Sequence, residues 1–184
     1  MASNPQRRWT RVRIWIALVL AVGANLTVVR AASREYEIKA AYLYNFINYV
    51  DWVDQSLLPA GGTITIGIVG ENPFGPALAP LNGKQIKGRT LAVKEVSSPA
   101  DLKTCQIIFI SPSEKPRYEA ILASLKDSKI LTVSEIEGFA ERGGIINFIS
   151  ERNKVRFEIN PDAARNQGLT ISSELLKLAR LVKL

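Results

Sequence analysis

The chain has 184 residues, 47% of them hydrophobic, a composition that fits one globular domain and excludes a disordered polymer. Its formal charge of +7 invites a nucleic-acid reading, but residues 1–31 hold five arginines and no acid, which leaves 19 basic against 17 acidic residues beyond them and removes that reading. The absence of histidine and the single cysteine, Cys105, exclude imidazole-based hydrolysis, thiolate metal clusters, CxxC redox chemistry and any disulfide within one chain.

Taken in chain order, the first segment reads as an export leader. Arg7, Arg8, Arg11 and Arg13 form a basic start, and an apolar run from Ile14 to about Val29 follows. Val29-Arg30-Ala31 then has the small-x-small pattern of a signal peptidase site. Cleavage after Ala31, with Ala32 as the near alternative, gives a signal peptide over residues 1–31 and a mature domain over 32–184. The apolar run is about 16 residues and is interrupted by Gly23, Asn25 and Thr27, shorter than the roughly 20 residues a spanning helix requires. Retention as an anchor is the competing outcome. After cleavage nothing further is expected to insert in a membrane.

Ser33 can cap a helix over about Arg34–Val53, apolar almost all round and therefore expected to be buried on both sides or against a partner. Pro59-Ala-Gly-Gly62 breaks the chain, and Thr63–Val69 is a β-branched strand. A short helix near Leu81, a strand at Arg89–Val96 and a turn or short helix at Ser98–Leu102 come next. The very apolar Gln106–Ile110 is a third strand, a helix covers about Pro116–Leu125, and Ile130–Val133 is a fourth strand. A short helix near Phe139 precedes a hairpin of Ile145–Ser150 and Val155–Ile159, turned at Glu151–Lys154. Helices over Pro161–Asn166 and Glu174–Val182 close the chain.

Strands that alternate with helices and lack polar alternation of their own belong to a sheet covered on both faces. The expected fold is therefore a single α/β domain. Its sheet is mixed but mostly parallel, flanked by helices on both faces, and doubly wound in the Rossmann or flavodoxin-like manner. The hairpin supplies the antiparallel part.

Few residues are candidates for a site. Gly70 and Gly75 have phosphate-loop spacing, but Pro76 and Ala77 stand where Lys and Ser or Thr would hold phosphate and magnesium, so the segment reads as a tight turn. Gly70, Glu71, Ser111 and Ser134 follow strands, where ligands dock in open α/β sheets, and they outline a ligand crevice; for the serines, helix capping is the competing reading. Tyr42, Tyr49 and Trp52 fall largely outside the apolar stripe of the first helix and are candidates for partner or dimer contact. Cys105, just before an apolar strand, is read as an inert buried thiol. No residue set suggests a catalytic centre, a metal site or a cofactor.

Several stretches together resemble the YfiR family. They are Tyr36-Glu-Ile-Lys-Ala-Ala-Tyr-Leu-Tyr-Asn-Phe46 with Trp52, Ile66–Gly75, Cys105–Ser111, Leu131–Ser134, Gly143–Phe148, Val155–Asn160 and Gly168–Ala179. The resemblance implies a periplasmic, non-enzymatic repressor of an inner-membrane diguanylate cyclase, acting on the cyclase's periplasmic region and lowering cyclic di-GMP signalling and biofilm formation. It also implies a homodimer. The family's disulfide-forming cysteine pairs are missing here, so redox control through an internal disulfide does not carry over. The alternative from the residues alone is a periplasmic small-molecule sensor acting on another signalling partner.

Overall fold

The computed structural model describes residues 33–52 and 61–183, and from Tyr36 onward the chain forms one compact unit. The leader expected over residues 1–31, its cleavage site and the start of the Pro59–Gly62 break lie outside the described residues.

Helix α1 spans residues 33–49, shorter than expected, because the chain turns extended at Val50. Val50–Trp52 is strand β1, with Val50 and Trp52 buried and Asp51 exposed between them. Seven central elements follow the sequence reading closely. They are β2 (Thr63–Val69), a 3-10 helix (Gly75–Leu81), β4 (Arg89–Val96), α2 (Pro99–Leu102), β5 (Ile107–Ile110), α3 (Tyr118–Ser124) and β6 (Leu131–Ser134). A two-residue strand β3, Gln85–Ile86, precedes β4. After a 3-10 turn at Ala140–Arg142 comes the hairpin β7 (Ile146–Glu151) and β8 (Lys154–Ile159). Arg152 and Asn153 both take positive φ, 50° and 59°, as a two-residue type I′ turn requires. The chain ends in α4 (Pro161–Asn166), β9 (Leu169–Ile171), α5 (Ser173–Leu178) and β10 (Arg180–Leu181).

The main sheet has eight strands in the order β10-β8-β7-β6-β5-β2-β4-β3. Only the β7–β8 and β4–β3 pairs are antiparallel. Within it, β4-β2-β5-β6-β7 is the five-stranded parallel order of a flavodoxin-like sheet, so the doubly wound expectation holds. β1 and β9 form a separate antiparallel pair, Val50 opposite Ile171 and Trp52 opposite Leu169. Sequence reading misplaced this pair and β10. Val50–Trp52 continues the spacing of α1, and Arg180–Leu181 continues that of α5, so local pattern favours helix where long-range pairing imposes strand.

Side chains divide by parity along each strand. Ile64, Ile66 and Ile68 of β2, Ile107 and Phe109 of β5, and Leu131 and Val133 of β6 join Leu43, Phe46 and Ile47 of α1 in the larger core. Val69, Ile108 and Ile110 face the second core, with Leu102, Tyr118, Leu125 and Phe139. α1 is thus buried on one face only. Ile38, Ala41, Asn45 and Asn48 are exposed, which corrects the expectation of burial on both sides.

Phe46 is fully buried and stacks on Tyr42 (6.0 Å) and Phe148 (5.9 Å), with Phe157 edge-on at 5.4 Å. It is the side chain through which α1 grips β7 and β8. Phe46→Ala should lower unfolding free energy by about 3–5 kcal/mol, read from urea denaturation. A loss of well under about 1 kcal/mol would mean that α1 is not held by this cluster.

Candidate functional site

The sheet predicts where a site should be. The β2–β4 connection crosses one face through Leu78 and Leu81, whereas α2 and α3 cross the other through Leu102 and Tyr118. That reversal leaves a switch point beyond the carboxyl ends of β2 and β5, where open α/β sheets bind ligands. Gly70, Glu71, Ser111 and Ser134 do lie around it.

At Gly70 the chain approaches itself closely. Gly70 has φ +87°, and a Cβ there would overlap Ser113 Oγ and lie 2.8 Å from Glu114 Cγ. The Glu71 amide donates to Ser113 Oγ at 2.9 Å, and the Ser111 amide donates to the Val69 carbonyl at 3.0 Å. Glu114, nearly buried, carries an ion pair with Arg117. Ser134 is fully buried: its hydroxyl donates to the Ile110 carbonyl (2.7 Å) and accepts from the Ile136 amide (3.1 Å). Ser111, also buried, accepts from the Ser113 amide. The two serines act on their own backbone, as the capping reading expects. Gly67 lies within β2, on the same strand that leads to Gly70. It admits Cys105, whose Sγ would sit 2.8 Å from a Cβ at that position.

Above the crevice lies a feature that sequence reading missed. Lys39 of α1 is 4% exposed and forms an ion pair with Glu135, just after β6. The Tyr36 hydroxyl donates to the same carboxylate at 3.0 Å, and the ammonium stands 4.6 Å from the Tyr36 ring centroid. Tyr36 in turn meets Phe74 edge-on at 5.3 Å, and Phe74 meets Phe109 at 4.8 Å. A charged and aromatic clamp therefore fastens the start of α1 over the switch point. The sequence held one clue, a lone lysine inside an otherwise apolar stretch of helix.

The expected contact residues separate. Trp52 is 2% exposed, and its indole N–H donates to the Lys129 carbonyl at 3.0 Å, so it is core and its place as a contact residue is corrected. Tyr42 is half-buried at the rim of the Phe46 cluster, 5.3 Å from Phe157. Tyr49 is half-buried, and its carbonyl accepts from the Ser172 amide at 2.8 Å. Cys105 is buried, and its thiol donates weakly to the Asp101 carbonyl at 3.5 Å. Burial pushes the Cys105 thiol above its ordinary range, against a smaller opposing pull from Lys94. Among the described residues no cluster of His, Cys, Asp and Glu could hold a metal ion.

A sequence profile of the YfiR/HmsC-like group matches residues 36–180. The chain belongs to the YfiR/HmsC-like family. That family is regulatory rather than catalytic, and its members are periplasmic. No curated protein matches the sequence. Among solved structures, a conserved domain protein from Vibrio cholerae aligns with TM-score 0.52 and 14% identity, covering 81% of this chain and 60% of its own. The ABC domain in complex with L-Trp from Streptococcus pneumonia aligns with TM-score 0.47 and 14% identity, covering 65% of this chain and 55% of its own. The chain thus spans little more than half of either structure. The Vibrio likeness shows fold alone, and the streptococcal one is too weak to bear on this chain. No described helix is long and apolar enough to cross a membrane.

Two measurements check the site. Lys39→Ala leaves a buried carboxylate without its cation and should cost about 3–5 kcal/mol, a fall in Tm of roughly 6–20 °C for a domain of this size. Replacing both partners, Lys39→Met with Glu135→Leu, should recover most of that loss; strictly additive losses would show that the pair is not coupled. Native protein should leave Cys105 unlabelled by iodoacetamide at pH 8 and become labelled on unfolding, whereas fast native labelling would contradict the buried, unreactive thiol.

Proposed function

We propose that this chain is an exported regulator that represses an inner-membrane diguanylate cyclase by binding the cyclase's periplasmic region. The observation that carries the reading is the family match across residues 36–180. In this reading residues 1–31 are a cleaved signal peptide, and the domain works as a homodimer in the periplasm.

The contact surface proposed for the partner is the outward face of α1. Ile38 is 42% exposed, one of few large apolar side chains so exposed, and Ala41 and Asn45 follow it at helical spacing. Tyr42 borders this face, and Tyr49 continues it about two turns on. The clamp at Lys39 and Glu135 fixes the direction in which that face points.

Deleting the gene should raise cellular cyclic di-GMP, and wild-type chain supplied in trans should lower it again. Ile38→Asp should fail to restore repression while unfolding within about 0.5 kcal/mol of wild type, as a surface change does. Unchanged cyclic di-GMP after deletion, with no cyclase encoded nearby, would overturn the reading.

A further inference from the structure

The net positive charge beyond residue 31 is concentrated on one edge of the sheet. Six cations fall in two segments that pair side by side: Arg152, Lys154 and Arg156 at the hairpin turn and on β8, and Lys177, Arg180 and Lys183 on and beside β10. Two acids, Glu151 and Glu158, oppose them, for a local net charge of +4. The rest of the sequence from residue 32 holds 13 basic and 15 acidic residues and is net −2. The basic excess is therefore segregated rather than spread.

All six cations are exposed, and only Arg180 has an ion pair among the described residues, with the buried Glu158. Among the described residues three large apolar side chains are exposed, and two of them stand among these cations, Leu178 at 68% and Leu181 at 51% exposure. Arg156, Leu178 and Arg180 share the lining of one shallow cavity, and Arg152, Lys154 and Arg156 that of the next, so the surface is continuous. Cations at an edge strand do discourage pairing with other sheets. That role leaves two solvent-exposed leucines on the same edge unaccounted for.

We propose that this edge is a peripheral docking surface for an anionic phospholipid bilayer. Lysine and arginine pair with lipid phosphates, while isolated leucines enter the boundary between headgroups and acyl chains. A protein partner would be expected to meet an apolar centre depleted of charge, and this surface has none. The contact is peripheral and needs no inserted segment. Export would place the surface beside the outer leaflet of the inner membrane, so the regulator would search for its partner in two dimensions. The inference goes beyond the cyclase reading and stands or falls separately.

The test uses chain recovered from the periplasm, its N-terminus fixed by mass spectrometry, in co-sedimentation with vesicles. Vesicles with half phosphatidylglycerol should bind roughly tenfold more tightly than pure phosphatidylcholine, with binding weakened by 0.5 M salt. Leu178→Ser with Leu181→Ser, and separately Lys154→Glu with Arg156→Glu, should each lose about tenfold with unchanged thermal melts. Equal binding to both vesicles, or wild-type binding by both variants, would overturn the proposal. So would sedimentation showing that a second copy covers this edge, with the leucine variant monomeric and vesicle binding unaltered. Because the vesicles contain no cyclase, either result leaves the cyclic di-GMP experiment to be decided on its own.

Discussion

An apolar helix can stay on a sheet only if its buried face is matched and any charge it carries inward is neutralised. In this protein both conditions meet in α1. Leu43, Phe46 and Ile47 have lost all contact with solvent against β2, β5, β6 and the hairpin, and Lys39 enters with them. A buried ammonium without an anion would cost more than the neighbouring aliphatic contacts return. Glu135 supplies the anion because β6 ends at Ser134, whose own hydroxyl holds the turn. The position of α1 and the outward display of Ile38 depend on that match.

The switch point shows how far topology alone decides a site. The topology that often leaves a crevice is present in full, from the parallel order to the reversal at β2. At its floor the turn at 111–114 folds inward onto Gly70, and a side chain at residue 70 would prevent that approach. The same scaffold can thus serve recognition by outer surfaces, one apolar and helical, the other cationic at the sheet edge.

Much of the fold was legible in the sequence because the central strands are β-branched, continuous and bounded by glycine, proline or serine. Thr63–Val69 and Arg89–Val96 match the observed strands residue for residue. The errors share one cause. Val50–Trp52 and Arg180–Leu181 adjoin helices whose spacing they extend, and only partners far along the chain, Leu169–Ile171 and Glu158–Ile159, make them strands. The site was less legible. Serines after strands are equally good as ligands or as caps, and here they are caps. The Lys39–Glu135 pair joins residues far apart in sequence, and no local pattern announces such a pairing.

The small β1–β9 sheet has a consequence for how the domain is made. Val50, near the beginning of the domain, pairs with Ile171, near its end. A chain threaded through a pore N-terminus first would present α1 long before β9 emerged. Until then the helix would lack its final neighbour, and the long-range pairing that closes the structure would be out of reach. Vectorial delivery would thus hold the polypeptide open during transit, and stable folding would wait for nearly the whole length to arrive on the far side.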